Sequence, residues 1–366
     1  MNKNVNLEYK KETIKIMELI NFCTAVFVKE GMELEDAKKC ATVLAETDAF
    51  GVHSHGTRNL FNYVKKKNAG GVSFTTRPEI VKQGEAYAVI DGHNSMGMIS
   101  SWQAVDIACD KATKCGIAFV TIRNSCHFGA AGFYSNLAAK RKMIGISVSN
   151  VDPNMTAPGA KGKVIGNNPI AFSSPMLEQD SMFLDISCSN VASLKVIEAK
   201  RENRKIPTTW IIDDDGKPTD DPSEYPNKGA MQPMGFHKGY GLSILVELLT
   251  GVLSSGENST NGNIVSWCFE PEKPNNVSHA FIVIDPSKFL EEGILEERMQ
   301  RISSTLRNSP KASGTNRIYT PGEIDWEKYH EAEQNGIKLP SDVFESLRVL
   351  SNNLDIQFPE TYMINE

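Results

Sequence analysis

Two short segments carry the side chains best suited to proton transfer. In Gly51-Val52-His53-Ser54-His55-Gly56, two imidazoles and a hydroxyl fall within three residues, between glycines able to form a turn. A further histidine lies much later, in His127-Phe128-Gly129-Ala130-Ala131-Gly132. Histidine has the side-chain pKa nearest neutrality, so it can both take up and release a proton. Glycine lets a ligand approach the backbone closely and tolerates positive φ. Two such segments far apart in the chain point to one active site closed by the fold.

The same residues admit other chemistries. His53, His55 and His127 are zinc ligands by type, although Ser54 and Gly56 favour a loop. Ser54, His55 and Asp185 could form a relay for acyl transfer. No G-x-S-x-G elbow accompanies them, so a proton or hydrogen-bond network is the alternative. Cys126 beside His127 raises a Cys–His nucleophile, but neighbours in a strand point to opposite faces. Asp213-Asp214-Asp215-Gly216 is turn chemistry, not a calcium loop, because Lys217 and its successors supply no ligand series.

There is no G-x-G-x-x-G dinucleotide fingerprint and no G-x-x-x-x-G-K-[ST] phosphate loop. Gly235-Phe236-His237-Lys238-Gly239-Tyr240-Gly241 instead sets glycines and Lys238 directly before an apolar helix. That is either an anion site at a helix N-terminus or a tight loop with a solvated lysine. Pro158 to Gly162 and Gly166 to Pro169 could present backbone amides to a phosphate or carboxylate, or be ordinary glycine-rich loops.

The elements that must position these residues follow from periodicity. Helices are expected over 16–27, 34–49, 60–67, 102–112, 131–141, 239–253, 290–306 and 341–350. Strands are expected over 86–90, 117–122, 144–148, 171–172, 183–184, 210–212 and 279–284. The stretch 254–262 reads as an exposed loop. The alternation predicts mixed α and β structure. The start, Met1 to Val5, leads into a charged helix pattern without an apolar signal core.

The chain has 366 residues, 40% hydrophobic and 23% charged, with a net charge of -6. That length allows two or three domains, and the negative balance argues against nucleic acid as a partner. The longest apolar run, 241–253, is interrupted by Glu247 and too short for a bilayer. It therefore reads as a buried helix, and no membrane is implied. Seven cysteines without paired spacings read as reduced thiols of a cytoplasmic protein. The sequons at Asn154 and Asn258 carry no weight there.

Taken in order, these segments resemble the malate/L-lactate dehydrogenase family that lacks a Rossmann fold. The likeness runs through 48–60, 88–97, 127–150, 166–175, Asp185-Ile186-Ser187, 206–222, 231–251, Ser313 to Arg317 and Pro321-Gly322-Glu323. It implies a mixed α/β (α+β) fold with a mixed sheet. An α/β NAD(P)-binding domain is expected over 76–288. A helical domain would be built from 1–75 and from 289–366, which returns to it. It also implies NAD or NADP as cofactor, a small 2-oxo or 2-hydroxy acid as substrate, and a homodimer with the active site near the interface.

By the resemblance, His127 matches the acid/base histidine, Ser54 and His55 the Ser-His pair, and Asp185 the aspartate closing that network. Asn150, Ile186, Ser187, Lys238, Arg317, Pro321, Gly322 and Glu323 match positions near the cofactor. Many relatives carry arginine where this chain has Asn59; here Arg58 stands one position earlier. Arg58 or Lys238 is expected to neutralise the substrate carboxylate. Malate/oxaloacetate is the expected pair, with no metal. A cyclic imine such as piperideine-2-carboxylate, lactate, sulfolactate or ureidoglycolate are alternatives. A catalytically silent cofactor-binding protein is another.

Overall fold

The computed structural model describes residues 12–177 and 179–363; the expected charged helix pattern at the chain start lies outside them. The helices are α1 (Ile16–Lys29), α2 (Leu34–Ala49), α3 (Leu60–Asn68), α4 (Gly97–Cys115), α5 (Ala131–Lys140), α6 (Ser193–Arg201), α7 (His237–Glu247), α8 (Ile294–Arg307), α9 (Glu323–Asn335) and α10 (Ser341–Leu354). The strands are β1 (Glu12–Thr13), β2 (Glu79–Gln83), β3 (Tyr87–Asp91), β4 (Ile117–Ser125), β5 (Ile144–Ser149), β6 (Ile170–Met176), β7 (Gln179–Ile186), β8 (Ile211–Ile212), β9 (Pro218–Thr219), β10 (Ala230–Met231), β11 (Val277–Ile284) and β12 (Tyr362–Met363).

The main sheet has seven strands in the order β2-β3-β4-β11-β5-β6-β7. Only β3 and β4 run parallel, joined by a crossover through α4; the other neighbours are antiparallel. The sheet is therefore mixed, and its late strand β11 is inserted at the centre. This arrangement has no doubly wound parallel core and hence no place for the glycine fingerprint of one.

α4 packs on β4 and β11, while α5 packs on β5, β6 and β7. α2 carries Ala37, Cys40, Ala41, Val43, Leu44 and Ala45 on its buried side, opposite Leu19, Phe22, Cys23, Val26 and Phe27 of α1. Those small residues let the two helices approach closely. The two described ends of the chain meet: β1 pairs with β12, Ile14 bridges Ile337, and Phe358 packs between Phe22 and Phe344. A second core, with Met155, Ile165, Val196, Ile206, Tyr225 and Met231, underlies the small sheet β10-β8-β9.

The structure corrects several expectations. α6, α9 and β2 were not anticipated, and α4 begins at Gly97 rather than at residue 102. The run 239–253 is not a buried helix. α7 passes into a π-helical turn over Leu248–Val252, and Ile244, Leu245, Leu248, Val252 and Leu253 are 43–55% exposed. The apolar pattern marks a surface that this single chain leaves uncovered, which local hydropathy cannot distinguish from a core. The stretch 254–262 is not simply exposed either. Ser259 is buried and donates to Glu247 on α7.

Candidate active site

β4 delivers His127 to the edge of the helical layer, and two glycines make the delivery feasible. Gly129 has φ +86°, in the left-handed region. Gly97, the first residue of α4, lies so close to the histidine segment that a Cβ there would sit 1.9 Å from the Cys126 carbonyl oxygen and 2.7 Å from that of His127. The second histidine segment leaves α2 through Gly51, whose φ is +76°. Its shape is set by Asp48, a buried carboxylate. Asp48 accepts hydrogen bonds from the Thr57 amide (2.7 Å), the Thr57 hydroxyl (2.6 Å) and His53 Nδ1 (2.8 Å). Gly56 has no room for a Cβ against that carboxylate. His53 is thus tied to the loop through Asp48. Among the described residues no three His, Cys, Asp or Glu side chains converge in metal-holding geometry.

The fold brings His55 and His127 together, with ring centroids 5.6 Å apart and planes 26° from parallel. Ser54 Oγ and His55 Nδ1 share a hydrogen bond of 2.8 Å. Three partners of His127 went unmarked in the sequence. Tyr63 on α3 places its hydroxyl 2.5 Å from His127 Nδ1. Trp267 stacks on the imidazole at 4.5 Å and 11°, and on Tyr63 at 4.8 Å. His279, fully buried on β11, bonds the Cys126 carbonyl through Nε2 (3.1 Å) and stacks on Phe128 at 4.3 Å. It therefore grips the chain on both sides of His127. Ser125 and Ser149, from the strands flanking β11, hydrogen-bond its two ring nitrogens.

Both histidines are half-buried, and the setting keeps them neutral. Loss of hydration pushes the His127 pKa well below its ordinary value, and the nearby imidazoles of His55 and His279 add to the effect. His55 is lowered by burial alone. Cys126 is fully buried, which pushes its thiol up to about 11. An inert thiol of this kind does not serve a Cys–His nucleophile.

Asp185 stands near the end of β7 and is exposed, although surrounding protein crowds its carboxyl. It accepts a hydrogen bond from the Gly132 amide at the start of α5 (2.7 Å). Among the described residues it bonds to neither Ser54 nor His55, so the expected three-member network is not closed. Desolvation by the surrounding protein pushes its pKa up to about 6, the Gly132 amide opposing and Asp325 reinforcing the rise.

The cofactor candidates fall into three groups. Ile186 and Ser187 close β7, and the next residues run alongside the approach to α7. There the Met234 amide donates to the Cys188 carbonyl, and Ser189 bridges Pro233. Gly239, packed 2.4 Å from that same Cys188 carbonyl as a Cβ would lie, allows this contact. Exposed Lys238 lies on the first turn of α7, the turn that packs through Gly239 against Cys188, two residues beyond Ile186. Asn150 is fully buried, with its amide nitrogen on Glu247 and the Glu257 carbonyl and its oxygen taking the Ser278 amide. Its side chain ties α7 to the sheet. Arg317, Pro321 and Glu323 lie elsewhere, in a cleft with Gln179 to Met182 near the start of β7, and Gly322 packs on Phe183. Arg317 pairs with Glu323 and Glu327. For Glu323, burial is outweighed by hydrogen bonds from Thr320, Arg317 and Arg307, which hold its pKa down to about 2.

Arg58 is also placed away from the histidines. Its guanidinium makes a two-point contact with Asp342 on α10, one arm at 3.1 Å. It lines a small cavity of about 130 Å³ whose lining includes neither histidine. The neighbouring Asn59 instead faces the loop and donates to the Ser54 carbonyl (2.9 Å). Successive residues of the short 3₁₀ turn Thr57–Asn59 point in different directions, so a shift of one position re-aims the side chain completely.

The family model described as malate/L-lactate dehydrogenase matches residues 14–348, and the chain belongs to that family. It is 33% identical to the malate dehydrogenase of Pyrococcus abyssi (strain GE5 / Orsay) over 347 residues, covering 93% of this chain and 94% of the relative. It is 30% identical to a Delta(1)-pyrroline-2-carboxylate/Delta(1)-piperideine-2-carboxylate reductase of Pseudomonas putida, covering 92% and 96%. The solved structure of sulfolactate dehydrogenase from Methanocaldococcus jannaschii superimposes with a TM-score of 0.87 at 32% identity, over 94% of this chain and 98% of that one. The protein is an enzyme of the 2-hydroxy acid dehydrogenase type, with the mixed α/β fold of that family.

Proposed function

We propose that the protein interconverts a small 2-hydroxy acid and its 2-oxo acid with a nicotinamide cofactor, malate and oxaloacetate being the leading pair. The observation that carries this reading is a half-buried His127 stacked on Trp267, close to His55 and held at Nδ1 by Tyr63. In the tautomer that donates from Nδ1 to the Tyr63 oxygen, Nε2 is unprotonated and accepts the hydroxyl proton of the substrate. Burial and neighbouring thiols and phenol raise the Tyr63 pKa well above its ordinary value, so Tyr63 stays neutral throughout. His55, held by Ser54, lies close enough to share the proton path.

Lys238, Ile186 and Ser187 would hold a cofactor, with Lys238 offering a solvent-facing cation on the first turn of α7. The nicotinamide, when bound, accepts or supplies the hydride. Arg317, Pro321, Gly322 and Glu323 support the same site by bracing β7; the Phe183 amide donates to the Pro321 carbonyl (3.3 Å). Lys238 is the cation left for the substrate carboxylate, since Arg58 is engaged by Asp342.

The exposed apolar face of α7 and its π turn supports a homodimer. The seven free thiols support a reducing, cytoplasmic setting. No helix among the described residues is long and apolar enough to cross a membrane.

The test is oxidation of NADH and of NADPH with oxaloacetate, pyruvate, 2-oxoglutarate and piperideine-2-carboxylate offered separately. Turnover with oxaloacetate is expected. Turnover with the cyclic imine alone would move the assignment to the reductase branch. Silence with every acceptor, in folded protein, would sink it.

A further inference from the structure

Lys66 is fully buried, yet among the described residues its ammonium has no carboxylate partner. It donates instead to two backbone carbonyls, Lys273 at 2.5 Å and Glu270 at 3.4 Å. Burying an ammonium without a counter-charge is costly. Burial lowers its pKa, against the opposing influence of Cys126, Glu272, Cys268 and Glu270.

Lys66 follows Tyr63 by three positions on α3, so the two side chains share a face. The segment it holds is continuous with Trp267, whose ring covers Tyr63 and His127. Gly71 completes the contact: a Cβ there would lie 2.1 Å from the Pro271 carbonyl oxygen, 2.7 Å from that of Lys273 and 3.0 Å from Lys66 Nζ. The helix, the glycine after it and residues 270–273 thus form a three-sided clamp.

We propose that Lys66 is a positioning residue of the active site, which by gripping the Glu270 and Lys273 carbonyls keeps Trp267 stacked on the Tyr63–His127 pair. Trp267 excludes water from one face of the imidazole. Tyr63, His55, His279 and Cys126 are the other titratable groups around that ring; Cys268, next to Trp267, is the one that moves with the loop, and burial holds its thiol protonated. Release of the loop hydrates His127 and lets its pKa rise. The kinetic part of this inference rests on the proposed role of His127; the loop part does not.

The experiment uses Lys66→Met and Lys66→Gln in the full chain. Each is made with and without Trp267→Phe, so that Trp267 emission is obtained by difference from that of Trp102, Trp210 and Trp326. The folded variants should show red-shifted Trp267 emission that iodide quenches. The acid limb of kcat/KM for 2-hydroxy acid oxidation should move to higher pH, and kcat/KM should fall about 10- to 100-fold. Lys66→Arg should restore most of each. A folded variant with wild-type Trp267 emission and a wild-type acid limb overturns the proposal. Loss of folding in both variants also overturns it, because it assigns Lys66 to the core rather than to the loop. A loop response without turnover of any acceptor would retain the clamp and discard the proposed reaction.

Discussion

An imidazole with an ordinary pKa is partly protonated at neutral pH, and the protonated fraction cannot accept a proton. His127 escapes this because desolvation, His55 and His279 all oppose its charging. Replacing it with alanine should lower kcat about 100- to 10,000-fold with little change in the melting temperature, measured by steady-state turnover and circular dichroism. His279 has a different consequence. Burial lowers its pKa to about 3, against the Cys126 carbonyl. A folded pKa below the unfolded value means that its contribution to stability is complete above about 6.5 and is lost as pH falls through about 3. Denaturant unfolding between those limits should show a shallower loss with His279→Gln than with the wild type. His55 and His127 were legible in the sequence because glycines flank them. His279 was not, because it sits in an ordinary strand pattern and its partners Ser125 and Ser149 come from strands distant in sequence. Tyr63 and Trp267 escaped for the same reason, one looking like helix core and the other lying in a polar loop.

At the scale of elements, α2 does more than pack. Its last turn supplies Asp48, which sets the loop carrying Ser54 and His55. Asp48→Ala would orphan the Thr57 amide and hydroxyl. It should cost about 3 kcal/mol in stability and lower kcat/KM, read by urea unfolding and by turnover on the same preparation. Periodicity located α1, α2, α3, α5, β4, β5, β11 and α10 within a few residues. It failed at α6 and α9, whose exposed faces dominate their composition, and at α7, whose apolar side faces outward. Strand order was not legible at all. The insertion of β11 between β4 and β5 pairs residues more than a hundred positions apart, and no local pattern encodes that.

For the whole molecule, the exposed band Ile244, Leu245, Leu248, Val252 and Leu253 continues from the helix whose first turn carries Lys238. A second copy of the chain covering that band would bury its apolar side, as the proposed homodimer requires. If the proposed homodimer uses this band, Leu248→Glu should shift sedimentation from dimer to monomer. Activity should fall with it, since α7 loses its outer support. An unchanged dimer would place the interface elsewhere. The arginine shift also acts at this scale. Arg58 joins the Ser-His loop to α10, so the late helices are tied to the active-site loop rather than leaving a cation free for substrate.

The most direct measurement is the pH dependence of malate oxidation in the wild type and in a folded His127→Asn variant, with nicotinamide reduction as readout. The account predicts a wild-type rate that is level through neutrality and falls only well below pH 6.5, and a variant that is slow at every pH with no such limb. A variant that keeps the wild-type rate and the wild-type acid limb would remove His127 from proton transfer and contradict the account.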